Sequence, residues 1–263
     1  MSVKPKISAY IIAFNEEQNI GEAVKSVLWA DEVVVVDSYS SDRTAEIAES
    51  LGARVVQVKF EGFGKLRTAA IASTKHEWVF SLDTDERCTE AARDEIRRII
   101  ELPDAADAYY TPRRNVFMGR WIRHCGFYPD YRQPQLFRRN AMTFDEAMVH
   151  EGYTVKGRVA YMKNYIWQFP YRDFSQMIGK MERYSTLGAQ KLTNRGKNSS
   201  MATAFTHALV AFIRIYVFKL GILDGWPGFV IAFANFEGTF YRYAKKAEAD
   251  AGWNRPESRH HER

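Results

Sequence analysis

EWVFSLDTDER, residues 77–87, runs a short apolar stretch straight into three carboxylates, Asp83, Asp85 and Glu86. Trp78, Val79, Phe80 and Leu82 read as a buried strand, with the acids at its carboxyl end. Carboxylates this close repel one another, and burying them without partners is costly. A positive charge is therefore expected beside them.

The flanking sequence alternates strand and helix patterns. ISAYIIA (7–13), EVVVVD (32–37) and ARVVQV (53–58) are β-rich runs; EEQNIGEAVKSVLW (16–29), DRTAEIAESLG (42–52), GKLRTAAIAST (64–74) and TEAARDEIRRIIEL (89–102) carry helical periodicity. This alternation predicts an α/β fold with a mostly parallel sheet covered on both faces, the layout of nucleotide-binding domains. Ser41 or Asp42 is a candidate cap for the second helix and Thr89 for the fourth, and Gly52 follows the second helix's end. The expected organisation is a catalytic domain over 1–170, with a nucleotide half to about 103 and an acceptor half at 104–170. A helical, basic and apolar extension follows over 171–263.

With 263 residues, 46% of them hydrophobic, the chain is long enough to bury a full core. Cys88 and Cys125 are too few for a disulfide framework and lack metal-ligand spacing, so reduced thiols in a cytoplasmic protein are expected. The amino-terminal apolar run is strand-like and is followed by acids rather than a cleavage site, unlike a secretory signal. A net charge of +5 favours anionic partners. Nucleic-acid binding would rest on that charge alone, with no recognised module.

The apolar region after residue 200 is interrupted by Arg214, Lys219, Asp224, Gly225 and Pro227 and holds no uncharged run of roughly 18 residues, so a bilayer crossing is not expected. Two readings stay open. Two amphipathic helices can lie in a membrane interface, Trp226, Phe229, Phe233 and Phe236 toward lipid and Lys245 and Lys246 toward headgroups. Alternatively the same faces pack against the α/β core or a second copy in a homodimer.

Ligands of open α/β sheets bind beyond the carboxyl ends of the strands. Three such ends are acidic or polar: Asn15, Glu16 and Glu17 after the first, Asp37 at the second, Asp83 and Asp85 at the fourth. In an extended segment Asp83 and Asp85 project to one side and can share a hard cation, magnesium or manganese, carrying a diphosphate. That cation is the expected answer to the crowded charge. The first strand lacks a following G-x-G-x-x-G, which argues against a nicotinamide-dependent dehydrogenase.

YIIAFNEEQNIGEAVKSV (10–27), VVVVDSYSSDRTAEIA (33–48) and WVFSLDTDE (78–86) resemble the nucleotide-binding half of family 2 glycosyltransferases, over about residues 5–155. The resemblance implies the GT-A fold and transfer with inversion. It also implies that Glu16 and Asp37 hold the uracil and ribose of a UDP-sugar, and that Asp83 and Asp85 bind metal and diphosphate. GFGKLRTAAIASTKHEW (62–78) is similar to the family's loop and helix before that strand, which sets Arg67, with Lys65 a second candidate, near the nucleotide. QLFRR (135–139), AMVHEGYTV (147–155) and KLGILDGWPGF (219–229) resemble the bacterial lipopolysaccharide core branch that adds a β-linked glucose. That likeness implies a lipid-linked saccharide acceptor and a peripheral location at the cytoplasmic face of the inner membrane.

Inverting transfer needs a base at the acceptor hydroxyl. Glu151, in VHEG, is the candidate, with His150 beside it to bind phosphate, orient the acceptor or help the metal; Asp130, in YPDYR, is the rival. Arg132, Arg138 and Arg139 are candidates for acceptor phosphates. Two other functions compete: sugar transfer to a polyprenyl phosphate, and a catalytically silent scaffold that keeps the fold.

Overall fold

The computed structural model describes residues 4–145 and 152–252. In chain order the first elements are β1 (Ile7–Ala13), α1 (Ile20–Lys25), β2 (Glu32–Asp37), α2 (Thr44–Ser50), β3 (Arg54–Gln57), α3 (Phe63–Ser73), β4 (Trp78–Asp83), β5 (Glu86–Cys88) and α4 (Glu90–Glu101). Short strands follow: β6 (Ala108–Tyr110), β7 (Arg113–Phe117), β8 (Arg120–Trp121), β9 (Pro134–Arg138), β10 (Met142–Phe144), β11 (Tyr153–Val155), β12 (Val159–Tyr161) and β13 (Ile166–Gln168). The rest is helical: α5 (Phe174–Asn194), α6 (Met201–Ile213), a π turn and a 3-10 turn, and α7 (Trp226–Ala251).

The main sheet has the order β12-β6-β9-β4-β1-β2-β3, and within it β9 alone runs against its neighbours. Successive side chains of a strand face opposite ways. Ile7, Ala9 and Ile11 of β1 join Val33, Val35, Trp78, Phe80 and Leu82 under α1, α2 and α4, while Tyr10 and Ile12 join Val34, Val36 and Val79 under α3. Both faces are covered, which is why these strands read as unbroken apolar runs.

The first helix is shorter than its sequence pattern. Asn15 adopts φ +53°, and the backbone N–H of Glu17 donates to Asp42 at 3.0 Å, so residues 15–17 are held as loop by the neighbouring connection. The cap position of α2 is Arg43, whose side chain makes no cap bond, so neither Ser41 nor Asp42 is the cap; Asp42, one residue earlier, accepts from the Thr44 N–H at 3.0 Å, and Thr89 caps α4 by accepting from Ala92 at 3.1 Å.

The chain divides into two compact units, one of residues up to Val116 with Tyr128–Pro170, the other of Phe117–Phe127 with the helices from Tyr171 onward. In the helical unit Asp224 is buried and accepts from the backbone N–H groups of Arg123 at 3.1 Å and His124 at 2.9 Å, tying the 117–127 loop to the turn before α7. The expectation that Lys245 and Lys246 face headgroups is corrected here. Lys245 donates to Glu182, Ser185 and Thr186 of α5, and Lys246 is buried and paired with Asp250, because both lie where α7 packs within its own unit. Of the four aromatics expected to face lipid, Trp226 is 75% exposed and Phe233 is exposed, whereas Phe229 and Phe236 are half-buried in a ladder of stacked rings. Met201–Phe218 is long and apolar enough to cross a membrane by length and composition, with Arg214 inside it, and only 22% of it is buried.

Candidate active site

The parallel register aligns Ala13 of β1 with Asp37 of β2, and Ile12 with Asp83 of β4. The two aspartates therefore straddle β1 at one edge of the sheet, roughly 10 Å apart at two strand spacings. Asp37 is buried and serves the loop after it, accepting from the Ser40 N–H at 2.9 Å and from the Ser40 hydroxyl. Asn15 ties that loop to the end of β1: its N–H donates to Ser40 Oγ, and its Oδ1 accepts from the Ser41 N–H, each at 2.8 Å. Glu16 is half-buried, accepting from Asn19 at 2.7 Å while its N–H donates to Thr44 Oγ1 at 2.7 Å.

Asp83 is the last residue of β4, but Asp85 lies in the two-residue turn before β5, so the two do not share one extended segment as the sequence suggested. The reason is Glu86, which folds inward and accepts from the Asp83 N–H at 3.0 Å, closing the turn. Arg87 fastens it from outside, donating to the Thr84 and Glu86 carbonyls at 2.7 Å each. Asp85 stays half-buried at the turn's tip, with Gln168 Nε2 at 3.5 Å.

Two arginines supply positive charge to two of the three acids, Arg67 to Asp83 and Arg113 to Glu86. Arg67, on the inner face of α3, donates to Asp83 Oδ1 at 3.1 Å and lies 3.4 Å from Ser81 Oγ. Burial would raise the Asp83 pKa, but Arg67 and Arg113 outweigh it and hold the carboxyl below its ordinary range. Arg113, buried in β7, reaches Glu86 at 2.5 Å, and Gln135 Nε2 donates to the same carboxylate at 2.8 Å. Burial pushes Glu86 up, Arg113 draws it back, and the Asp83 charge adds to the rise. Three donors, Arg113, Gln135 and the Asp83 N–H, converge on this one side chain. Removing one partner of such a buried pair costs about 3–5 kcal/mol. In the sequence Glu86 stands grouped with the other two acids, and Arg113 carries no signal beyond being an arginine inside the alternating RRNVF.

The remaining candidates separate. Lys65 lies on the outer face of α3 with Glu61 at 3.3 Å. Asp130 is half-buried with Asn115 Nδ2 at 3.5 Å, and Arg132 pairs with it at 2.9 Å. Arg138 and Arg139 stand at the opposite end of β4, bonded to Glu77 and to the Thr74 carbonyl. His150 and Glu151 lie outside the described residues.

The donor set suits a hard divalent cation. Asp83 keeps 31% of its side chain exposed, Asp85 stands beside it, and both offer only oxygen. Among the described residues no cluster of three or more acidic, histidine or cysteine side chains completes a cage. Magnesium commonly takes one or two carboxylates and the rest of its shell from substrate phosphates.

Against known proteins, the chain is similar to an uncharacterized glycosyltransferase of Rickettsia bellii, 29% identical over 92% of this chain and 86% of that one. It is similar to the lipopolysaccharide core biosynthesis glycosyltransferase LpsC of Rhizobium meliloti, 27% identical over 94% of this chain and 96% of that one. Among solved structures it resembles S. aureus TarS 1–349 in complex with UDP-GlcNAc, at 17% identity, TM-score 0.49, and coverage of 94% and 92%. The family described as glycosyl transferase family 2 matches residues 8–166, so the parallel sheet and its acidic edge are those of a GT-A enzyme, and the chain belongs to the family 2 glycosyltransferases.

Proposed function

We propose that the protein transfers a hexose, glucose first among the candidates, from a UDP-sugar to a lipid-linked saccharide of the lipopolysaccharide inner-core type, with inversion. One observation carries this reading: Asp37, Asp83 and Asp85 lie along one carboxyl edge of the sheet, with Arg67 fixing Asp83 from behind. The name of the Rhizobium meliloti relative supports the acceptor class.

The loops after β1 and β2 hold the nucleoside, and the turn after β4 holds the diphosphate end. Asp83 and Asp85 would hold a magnesium or manganese ion, which would neutralise the charge that grows on the departing diphosphate. An acceptor hydroxyl oxygen forms its bond to the anomeric carbon as the bond from that carbon to the diphosphate oxygen breaks, and the hydroxyl proton passes to a carboxylate, assigned to Glu151. Arg67 keeps Asp83 ionised and aimed while this happens. The test is UDP release from a panel of UDP-sugars, with and without purified lipopolysaccharide core. Release stimulated by core is expected; release stimulated only by a polyprenyl phosphate would reassign the acceptor, and none with either would defeat the reading.

Peripheral attachment at the cytoplasmic face of the inner membrane is part of the same proposal. Around the turns between α6 and α7, Phe218 is 78% exposed and Trp226 75%, with Leu220, Ile222 and Leu223 exposed between them, a run of apolar side chains left open among the described residues. With Lys245 and Lys246 engaged inside the unit, attachment rests on apolar insertion more than on charge. The double variant Phe218→Ser/Trp226→Ser is expected to weaken binding to anionic liposomes at least about a hundredfold, since each side chain is worth about 1.5–3 kcal/mol on burial. Raised salt should weaken it only in part. Wild-type protein that ignores liposomes would favour packing against a second copy.

A further inference from the structure

β9 runs antiparallel to both β4 and β6, and β12 is parallel to β6, so β4, β6 and β12 end at the same sheet edge. Tyr110 and Tyr161 are the last residues of β6 and β12 and stand in register. Their rings stack at 5.1 Å and 19°, and Tyr131 meets both edge-on, at 6.2 Å and 5.0 Å. The hydroxyls of Tyr110 and Tyr153 lie 2.5 Å apart, which fixes the Tyr110 ring. Burial pushes Tyr153 up to about 12, so it stays a neutral phenol. Tyr161 is nevertheless 61% exposed and Tyr131 38%.

Rings that only filled a core would be covered. These stay open to solvent, Tyr110 two strand spacings (roughly 10 Å) and Tyr161 three (roughly 14 Å) from β4. They lie across β4 from β1, β2 and β3, so the nucleotide loops and the tyrosines flank the Asp83 turn from opposite sides. Asp130 and Arg132 adjoin Tyr131 in sequence and are bonded to each other at its side. An aromatic face with a negative quadrupole suits the polarised C–H face of a pyranose, and a carboxylate with a guanidinium beside it suits the hydroxyls at its rim.

We propose that Tyr110, Tyr131 and Tyr161 form a stacking platform for a saccharide ring of the acceptor, an assignment that rests on the glycosyltransferase reading above. Tyr161 is the contact face, and Tyr110 and Tyr131 hold it in place.

Saturation-transfer NMR on the full chain tests this, with delipidated lipopolysaccharide core oligosaccharide as probe and UDP binding measured beside it. The wild type is expected to transfer saturation to ring C–H protons. Tyr161→Ala should weaken oligosaccharide binding about tenfold and raise the acceptor KM with kcat nearly kept, while Tyr161→Phe and Tyr161→Trp retain binding because the face, not the hydroxyl, makes the contact. A structural role would instead lower the Tm and the UDP affinity of Tyr161→Ala. Wild-type oligosaccharide affinity in Tyr161→Ala overturns the platform, as does a wild type that binds UDP but gives no transfer to the oligosaccharide. Oligosaccharide binding that needs Tyr161, in a protein that binds no UDP, would keep the platform and defeat the enzyme reading.

Discussion

Asp85→Asn is expected to lower kcat/KM for sugar transfer by at least about a thousandfold and to remove metal-dependent UDP binding, with Tm nearly unchanged. A bound metal contributes several kcal/mol of charge stabilisation at a leaving diphosphate, and Asp85 is the carboxylate at the turn's tip, outside the Arg67 and Arg113 pairs. Asn keeps the size and an acceptor oxygen for Gln168. Asp83→Asn should be nearly as severe in activity but should also lower Tm, because it removes the carboxylate charge that the buried Arg67 pairs with across α3 and β4. Titration with UDP and manganese, thermal melts and turnover in excess EDTA check this; normal turnover by Asp85→Asn, or full wild-type activity in EDTA, sinks the metal-assisted mechanism.

Glu151→Gln should cut kcat at least about a hundredfold while the UDP-sugar affinity stays nearly constant, since the amide keeps shape and hydrogen bonding but cannot take the acceptor's proton. Asp130→Asn is expected to do far less. Both Asp130 oxygens already face the Arg132 guanidinium, an arrangement suited to positioning. Single-turnover rates of both variants and the product's anomeric configuration decide the matter. A β-linked product from a UDP-α-sugar is required. An active Glu151→Gln beside an inactive Asp130→Asn transfers the role to Asp130, and an α-linked product removes the single displacement.

The α/β layer order was legible in the sequence because it is a local property. ISAYIIA, EVVVVD and EWVFSLD are apolar at most positions, as strands covered on both faces require, and the helix after the last of them carries its own cap, Thr89. The acids at the strand ends were legible for the same reason, since a parallel sheet brings all its carboxyl ends to one edge. What local pattern could not supply was the fate of each charge. Asp83, Asp85 and Glu86 look alike within four residues. Yet Glu86 turns inward because Arg113 and Gln135, brought beside it by β7 and β9, outbid water for it, and that inward turn bends the D-x-D segment. Lys245 and Lys246 likewise read as surface cations until α5 and Asp250 claim them. The three tyrosines, spread over residues 110–161, become one surface only through strand register. Hydrophobic periodicity fixes which face of an element is buried. Which distant side chain meets a given charge or ring depends on strand order and register, and only the tertiary structure decides those.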